Sequence, residues 1–338
     1  MKKHIRIATI ALAVIALASC GNRNAASTEP ETTNDTAIVY MTRTVSPEAL
    51  VKVYEALGVE ATGNVAVKIS TGEGGNTNYL QPALISQLVG KVNGTIVECN
   101  TAYPGTRLLS ADHWKTIKEH GFLDIAKVDI MDEEGDMQIP VADTTHIKYD
   151  IVGKHLANYD FLISLAHFKG HAMGGFGGVL KNQSIGVAST AGKLYIHSAG
   201  AYQDAAQMGE AWQYVDSILP QDHFCESMAA AAQGVHNYFK QPGRNIVYIN
   251  VMNNMSIDCD CDGNPNKPEI ADMGILASTD PVALDQACVD LILNITPDQN
   301  NNTEPLIERI NKQYGLHTID HAAQIGLGTK TYKIVYID

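Results

Sequence analysis

Short apolar runs alternate with helix-length segments from residue 37 onwards, and this alternation restricts the fold of the chain more than any other feature. Runs such as Ile38 to Met41, Thr95 to Glu98 and Asn245 to Met252 are rich in β-branched residues, which is typical of buried strands. Between them, Ser46-Pro47 and Gln81-Pro82 are typical of helix starts. Strands that alternate with helices are joined by crossovers into a mostly parallel sheet. We therefore predict an α/β fold, with a mostly parallel or mixed sheet flanked by helices and built from βαβ units.

Two parts of the chain depart from this alternation. Gln138 to Val141 and His146 to Tyr149 predict a short hairpin. Tyr202 to Leu219 and Asp222 to Phe239 predict two helices in succession. No linker after residue 37 indicates a domain boundary, so residues 37–338 are predicted to form a single α/β domain.

The first twenty residues have the features of an export signal. Lys2, Lys3 and Arg6 precede an apolar run that ends at Leu17 and is too short to span a bilayer. The ending Leu-Ala-Ser-Cys20 resembles a bacterial lipobox, which implies cleavage after residue 19 and lipidation of the Cys20 thiol. The alternative is an ordinary signal peptide with a coincidental cysteine. We expect a lipoprotein signal peptide at 1–19, a disordered polar tether at 20–36, and a lipid anchor in a membrane of the bacterial cell envelope.

The charge of the chain limits its partners. The formal net charge is −13 and no basic stretch exists, which argues against nucleic acid. An anionic small ligand would need a local group of cations, and the stretch from Tyr159 to Lys193 supplies one where an apolar run ends. Ligands of open α/β sheets bind beyond the carboxyl ends of strands. The candidate catalytic residues are His167, Lys169, His171 and Lys181, and the candidate ligand-binding residues are Gly174, Gly175, Gly177, Asn182, Lys193 and His197.

Several properties of this stretch fit a ligand site. The glycines allow the backbone to approach a ligand, and successive N–H groups form anion-binding nests. His167 and His171 could converge on a metal or an anion. The glycines match neither the Walker A motif nor the dinucleotide fingerprint, so ATP and NAD are not inferred. The alternative is a flexible glycine loop with solvated lysine and histidine side chains.

A second group of candidate residues follows the strand predicted at Asn245 to Met252. The four carboxylates Asp258, Asp260, Asp262 and Glu269 match the spacing of a twelve-residue calcium loop, although prolines at 265 and 268 oppose that interpretation. Alternatively, the thiols of Cys259 and Cys261 hold iron or zinc. In an extended chain the two sets face opposite sides, so one site cannot use both. A solvated acidic turn is the third interpretation.

A third motif, Ser278-Thr-Asp280-Pro-Val-Ala-Leu-Asp285, begins a predicted helix. Ser278 or Asp280 would cap that helix, and Asp285 in its first turns would complement the helix dipole. The chain has no Gly-x-Ser-x-Gly elbow, so no serine hydrolase is indicated.

These motifs together resemble a known family. Lys169-Gly-His171, the glycines, Lys181-Asn182, Gly186, Lys193 and His197, followed by Cys259-Asp-Cys261 and the Asp280 motif, are similar to the domain of unknown function 362 family. The resemblance runs from about residue 60 to 295. It implies an α/β domain that is often associated with iron–sulfur proteins. This chain has no Cys-x-x-Cys-x-x-Cys run, so a ferredoxin-type four-iron cluster is not expected.

The sequence therefore predicts an envelope lipoprotein with a metal-binding or anion-binding site at the carboxyl edge of a sheet. Imidazole, thiolate and carboxylate groups without a hydrolase nucleophile favour a redox or metal-assisted enzyme. The alternative is a non-catalytic lipoprotein that binds an anion or calcium.

Overall fold

The structure, a computed structural model, describes residues 36–298 and 300–338. The predicted signal peptide, Cys20 and the tether up to residue 35 lie outside the described residues. Within the two described ranges, no helix combines the length and the apolar character that a membrane span requires.

Twelve strands lie within the described ranges. They are β1 (Ala37–Thr42), β2 (Val65–Lys68), β3 (Thr95–Glu98), β4 (Val128–Ile130), β5 (Asp136–Ile139), β6 (Asp150–Gly153), β7 (Phe161–His167), β8 (Lys169–His171), β9 (Gly175–Gly177), β10 (Asn245–Met252), β11 (Gly274–Ser278) and β12 (Tyr332–Tyr336). Eight of them form one sheet in the order β12-β1-β11-β10-β7-β2-β3-β4. β11 is antiparallel to both of its neighbours, and the other neighbouring strands of this sheet are parallel. The predicted mostly parallel or mixed α/β sheet is confirmed.

The helices lie on both faces of this sheet. They are α1 (Pro47–Ala56), α2 (Pro82–Lys91), α3 (Ser110–Glu119), α4 (Val179–Gln183), α5 (Thr190–His197), α6 (Met208–Ser217), α7 (Gln221–Phe239), α8 (Pro281–Leu293), α9 (Glu304–Lys312) and α10 (Gly315–Gln324). Side chains of α1, α2 and α3 pack in one apolar core, and those of α4, α7, α8 and α10 pack in another.

The strand β10 shows how the sheet separates these cores. Val247, Ile249 and Val251 belong to the core of α1 and α2, whereas Tyr248 and Met252 belong to the core of α7 and α8. Side chains alternate between the faces because the strand period is two. Both faces are buried, which is why this strand is a nearly continuous apolar run, interrupted at Asn250, rather than an alternating one.

Two local predictions were wrong in position. The hairpin predicted at Gln138 to Val141 and His146 to Tyr149 is formed instead by β5 and β6, which pair with Asp136 opposite Gly153. The charge of Asp150 suggests a loop, yet this residue opens a fully buried strand. The helix predicted from Tyr202 to Leu219 is limited to α6, because Asp204 caps a separate 3₁₀ turn at Ala205–Gln207.

Candidate functional site

The carboxyl ends of three parallel strands meet at one edge of the sheet. β2 ends at Lys68, β3 at Glu98 and β7 at His167. A cavity of about 150 Å³ opens at this edge. Its lining includes the polar and charged side chains of Lys68, Glu98, Arg107, Lys169, His171, Lys181, Asn182, Lys193, His197 and Cys261, and the apolar side chains of Ala102, Met173, Ile185 and Trp212.

Lys68 and Glu98 form a buried ion pair at the floor of the cavity, although sequence reasoning singled out neither residue. The Lys68 Nζ lies 3.7 Å from Glu98 Oε1, and Arg107 approaches the same oxygen at 3.6 Å. Burial lowers the pKa of Lys68 to about 8, against the pull of Glu98. Burial opposes ionisation of Glu98, but Lys68 and Arg107 outweigh it and hold its pKa below the usual value. A charged residue closing an otherwise apolar strand is the signal that would have found both.

Arg107 is fixed by a second buried carboxylate. Its Nε lies 3.3 Å from Glu73 Oε2, and the same carboxylate accepts hydrogen bonds from the Tyr103 hydroxyl and the Thr106 hydroxyl. The loop that follows β3 is therefore tied to the loop that follows β2. Together the two loops form one wall of the cavity.

His167 is not positioned as a base or a metal ligand. Its Nδ1 lies 2.7 Å from Asp260 Oδ1 and its Nε2 lies 2.6 Å from the Asn253 carbonyl oxygen. Both partners are acceptors, so both ring nitrogens must donate and the imidazole is positively charged. Among the described residues, His167 does not line the cavity, and Asp260 joins it to the lining residue Lys169. Its predicted convergence with His171 is therefore not observed.

Asp260 joins two buried cations. Lys169 Nζ lies 2.9 Å from Asp260 Oδ2, while His167 binds the other carboxyl oxygen. Burial opposes the charge of Asp260, but Lys169 and His167 outweigh it and the pKa lies at about 2. Asp260 therefore orients the loop that carries the two cysteines on either side of it.

Among the described residues, His171, Cys259 and Cys261 form a group that could hold a metal ion. One donor atom from each of the three side chains lies within 4.8 Å of the other two. His171 lies in β8, which follows β7, and the thiols lie in the loop after β10. Because β7 and β10 are parallel neighbours in the sheet, their carboxyl ends bring the three side chains together. A hydrogen bond from the Cys261 thiol lowers the pKa of Cys259 well below its usual value, with Lys181 and His171 adding to the effect against burial. The same hydrogen bond, with burial, raises the pKa of Cys261.

The loop after β10 that carries Cys259 and Cys261, here called the thiol loop, is held by hydrogen bonds to its backbone carbonyl oxygens. Asn76 donates to the Asp262 carbonyl oxygen at 2.7 Å and lies 3.4 Å from the Cys259 carbonyl oxygen. The Glu73 N–H donates to the Asp260 carbonyl oxygen at 2.8 Å. On the other side, a Cβ on Gly170 would overlap the Ile257 carbonyl oxygen. The loop is therefore pre-shaped by two separate segments of the chain, the loop after β2 and the strand β8.

The predicted calcium ligands do not come together. Asp258 accepts hydrogen bonds from Asn266, Asp262 from the Asn264 N–H, and Glu269 from Asn302. Asp260 is already bound to His167 and Lys169. The thiols and the carboxylates face different partners, as the sequence analysis expected, because neighbouring side chains point in different directions.

The predicted ligand-binding side chains lie at the cavity. Asn182 donates to the Lys68 carbonyl oxygen and to Ser164 Oγ, both at 3.0 Å. Lys193 donates to the Ala188 carbonyl oxygen at 2.5 Å. His197 stacks on Phe224, with Trp212 edge-on, and burial lowers its pKa to about 3. His197 is therefore a neutral part of the wall.

The predicted glycines shape the hairpin of β8 and β9 rather than an anion nest. The Gly174 N–H donates to His171 Nδ1 at 2.9 Å. Gly175 has a φ of +79°, which favours glycine, and it packs on Ile310 of α9. Gly177 lies opposite Lys169 in the hairpin. These glycines orient His171 and Lys169.

Comparisons with known proteins give a family and several distant structures, among them the following two. The family described as "Domain of unknown function (DUF362)" matches residues 65–290. The apoprotein of lactate racemase from Thermoanaerobacterium thermosaccharolyticum is 12% identical with a TM-score of 0.43, and the match covers 76% of this chain and 57% of that chain. A protein from Thermotoga maritima is 11% identical with a TM-score of 0.41, and the match covers 82% of this chain and 58% of that chain. The match thus spans under two thirds of either of those chains, and no curated protein matches the sequence. At these scores neither structure bears on function.

Proposed function

This chain belongs to the family described as domain of unknown function 362, and we propose that it is an envelope lipoprotein that binds a metal ion through His171, Cys259 and Cys261. The adjoining cavity would hold an anionic small molecule, which such a metal would polarise as a Lewis acid. The observation that carries the proposal is the approach of an imidazole and two thiols to within 4.8 Å of one another. His171 and Cys261 also line the cavity, which connects the metal to the ligand.

The donor set selects the metal. Thiolate and imidazole ligands suit zinc, iron and other soft or borderline ions, whereas calcium requires oxygen ligands. Three protein ligands leave one tetrahedral position open, as in catalytic zinc sites. At that position a metal would supply Lewis-acid activation of a bound oxygen.

One hydrogen bond must change when the metal binds. His171 Nδ1 accepts the Gly174 N–H, so Nε2 carries the proton of the neutral imidazole. Coordination through Nε2 would require the proton to move to Nδ1, which could then no longer accept the Gly174 N–H. Losing that hydrogen bond costs about 1–3 kcal/mol. Structural zinc sites provide roughly 10–16 kcal/mol, so the metal prevails.

The side chains around the cavity would bind and orient the ligand. Lys181 Nζ lies 3.9 Å from Cys259 Sγ, which puts a cation beside the proposed metal. Lys193 and Lys169 lie on the lining as well. These amines would bind and orient an anionic group, and the apolar side chains of Trp212 and Ile185 would exclude water from it.

Elemental analysis of the full-length protein, purified without air, tests the metal site. We expect about one zinc or iron per chain, because three protein ligands converge on one position. Cys259→Ser is expected to lower metal occupancy at least about ten-fold. Cys225→Ser serves as the matched control, since Cys225 is a buried thiol on α7, away from the cavity lining. A wild-type protein that neither contains metal nor takes up zinc on dialysis contradicts the proposal.

A further inference from the structure

We infer that the ligand of the cavity is a compact dianion, because the charged side chains around the cavity carry two more positive charges than negative ones. The inference rests on the proposed metal site, since it assumes that a divalent metal neutralises the two thiolates beside Lys181. It adds to that proposal the charge and the size of the ligand.

The charged side chains around the cavity are cations and carboxylates in unequal number. Among the described residues, the cations of the lining and of its direct partners are Lys68, Arg107, His167, Lys169, Lys181 and Lys193. The carboxylates that oppose them are Glu73, Glu98, Asp132 and Asp260. Six cations therefore face four carboxylates. Burial in a medium of low polarity makes an excess of two charges costly unless a counter-ion enters.

Two sets of these charges are joined by ion pairs, the first completely and the second only in part. Lys68 and Arg107 meet Glu98 and Glu73, two charges of each sign. Lys169 and His167 share Asp260 alone, which leaves one positive charge. The pairs hold the walls in place and leave a net positive field in the cavity.

Lys181 and Lys193 supply the remaining cations. Within the described ranges, neither amine has a carboxylate oxygen within 4.0 Å, whereas the other three lining cations do. Asp132 is close enough to Lys193 for the two charges to interact, but its carboxylate accepts the N–H groups of Asn100 and Thr190 instead. Burial raises the pKa of Asp150, another neighbour of Lys193, to about 7, so this carboxyl is at most partly charged at neutral pH.

Other acids lie outside this balance. Asp258 and Asp262 do not line this cavity. Asp258, which is half-buried, accepts hydrogen bonds from Asn266, and Asp262, which is exposed, accepts one from the Asn264 N–H. Water and salt screen charges in such positions. The thiolates of Cys259 and Cys261 are neutralised by a divalent metal. Among the described residues, Asp132 is therefore the carboxylate counted against Lys181 and Lys193, and one positive charge of this group remains without a negative partner.

The cavity limits the size of the ligand. Its volume of about 150 Å³ equals that of a protein cavity that accommodates a benzene-sized molecule. Trp212 closes one side, with its indole N–H donated to the Ala102 carbonyl oxygen at 2.7 Å. A short dicarboxylate or a phosphate is of this size, whereas a nucleotide is larger than the cavity. The two dianions share the required charge, and the experiment below distinguishes them.

Fluorescence of a single tryptophan measures the binding. The chain has two tryptophans, Trp114 and Trp212, and Trp114 lies on α3 away from the lining. Trp114→Phe in the full-length, zinc-loaded protein leaves Trp212 as the reporter. We titrate malonate, hydrogen phosphate and acetate at constant ionic strength. At least one dianion is expected to bind ten-fold or more tightly than acetate, and the tighter of the two identifies the chemistry.

Variants of the two amines complete the test. Lys193→Gln and, separately, Lys181→Gln are expected to reduce the preference for the dianion to less than three-fold. Lys52→Gln, an exposed lysine on α1, is expected to leave it unchanged. Acetate binding as tightly as both dianions, or a preference that survives both variants, overturns the inference. Zinc content is measured on each sample: zinc retained without a dianion preference refutes the dianion alone, and zinc absent from every sample refutes the metal proposal.

Discussion

At the scale of single residues, the partners of a side chain decide its role more than its type does. His167 and His171 are four residues apart, at the ends of β7 and β8. His167 nevertheless faces two hydrogen-bond acceptors, whereas His171 faces two thiols. The first is a structural cation and the second is a candidate ligand. Asp150, in contrast, has no such partners: neither of its buried carboxyl oxygens has a hydrogen-bond partner in the structure.

The isolation of Asp150 predicts a pH-dependent stability. Burial raises its pKa from the usual 3.8 to about 7 in the folded chain, so folding favours the protonated form. The stability from this group is fully present below about pH 3.8 and is lost as the pH rises towards 7. The loss is about 1.4 kcal/mol for each pH unit between the two pKa values. Asp150→Asn, which stays neutral, is expected to escape it.

Urea unfolding at pH 5 and pH 8 measures this effect. The free energy of unfolding of Asp150→Asn relative to the wild type is expected to rise by about 2–3 kcal/mol between the two pH values. Asp320→Asn, at an exposed site on α10, serves as the control and should show no such rise. An equal pH dependence in wild type and Asp150→Asn would show that Asp150 is charged in the folded protein.

At the scale of elements, one carboxylate joins α8, α4 and β10. Asp285 of α8 accepts the Val179 and Leu180 N–H groups at the start of α4, both at 2.9 Å, and the Asn250 amide of β10 at 2.7 Å. The sequence analysis expected Asp285 to complement the dipole of its own helix. Its partners are instead the N-terminal N–H groups of α4, the helix that carries Lys181 and Asn182. Asp280 caps α8 through Val282 and Ala283.

Asp285→Ala is therefore expected to destabilise the protein strongly. Three buried donors lose their acceptor, and each unsatisfied donor costs about 1–3 kcal/mol. A loss of roughly 3 kcal/mol or more in the free energy of unfolding follows, measurable by urea denaturation. Asp320→Ala is the matched control and is expected to change stability by less than about 0.5 kcal/mol. A loss below about 1 kcal/mol for Asp285→Ala would show that the start of α4 finds other acceptors.

At the scale of the whole molecule, the proposed lipid anchor and the metal site lie in different parts of the chain. Cys20 precedes the described residues, whereas the metal ligands lie beyond residue 170. The proposal predicts that wild-type protein expressed in a bacterium incorporates labelled palmitate, and that Cys20→Ala does not. Cys225→Ser keeps the lipobox and is expected to be labelled like the wild type. Labelling that persists in Cys20→Ala would place the lipid on another residue.

Much of the fold could be predicted from the sequence because it depends on local patterns. The strands at Thr95 to Glu98 and Asn245 to Met252 have the predicted boundaries, since strands buried on both faces are mainly apolar and rich in β-branched residues. Pro281 after Asp280 likewise indicates the start of α8. The hairpin of β5 and β6 was misplaced because the buried charge of Asp150 contradicts the usual pattern of a strand.

The sequence by itself determined the α/β class, the strand that leads to the site, and the residues near its end. Only the tertiary structure decided which of those residues meet. Parallel strands from distant parts of the chain bring Lys68, Glu98 and the thiol loop to one edge of the sheet, and loop contacts turn Cys259 and Cys261 towards His171 but Asp260 towards His167. Apolar periodicity records which side of a strand is buried. It does not show which charged residues, distant from one another in the chain, form ion pairs in the folded protein.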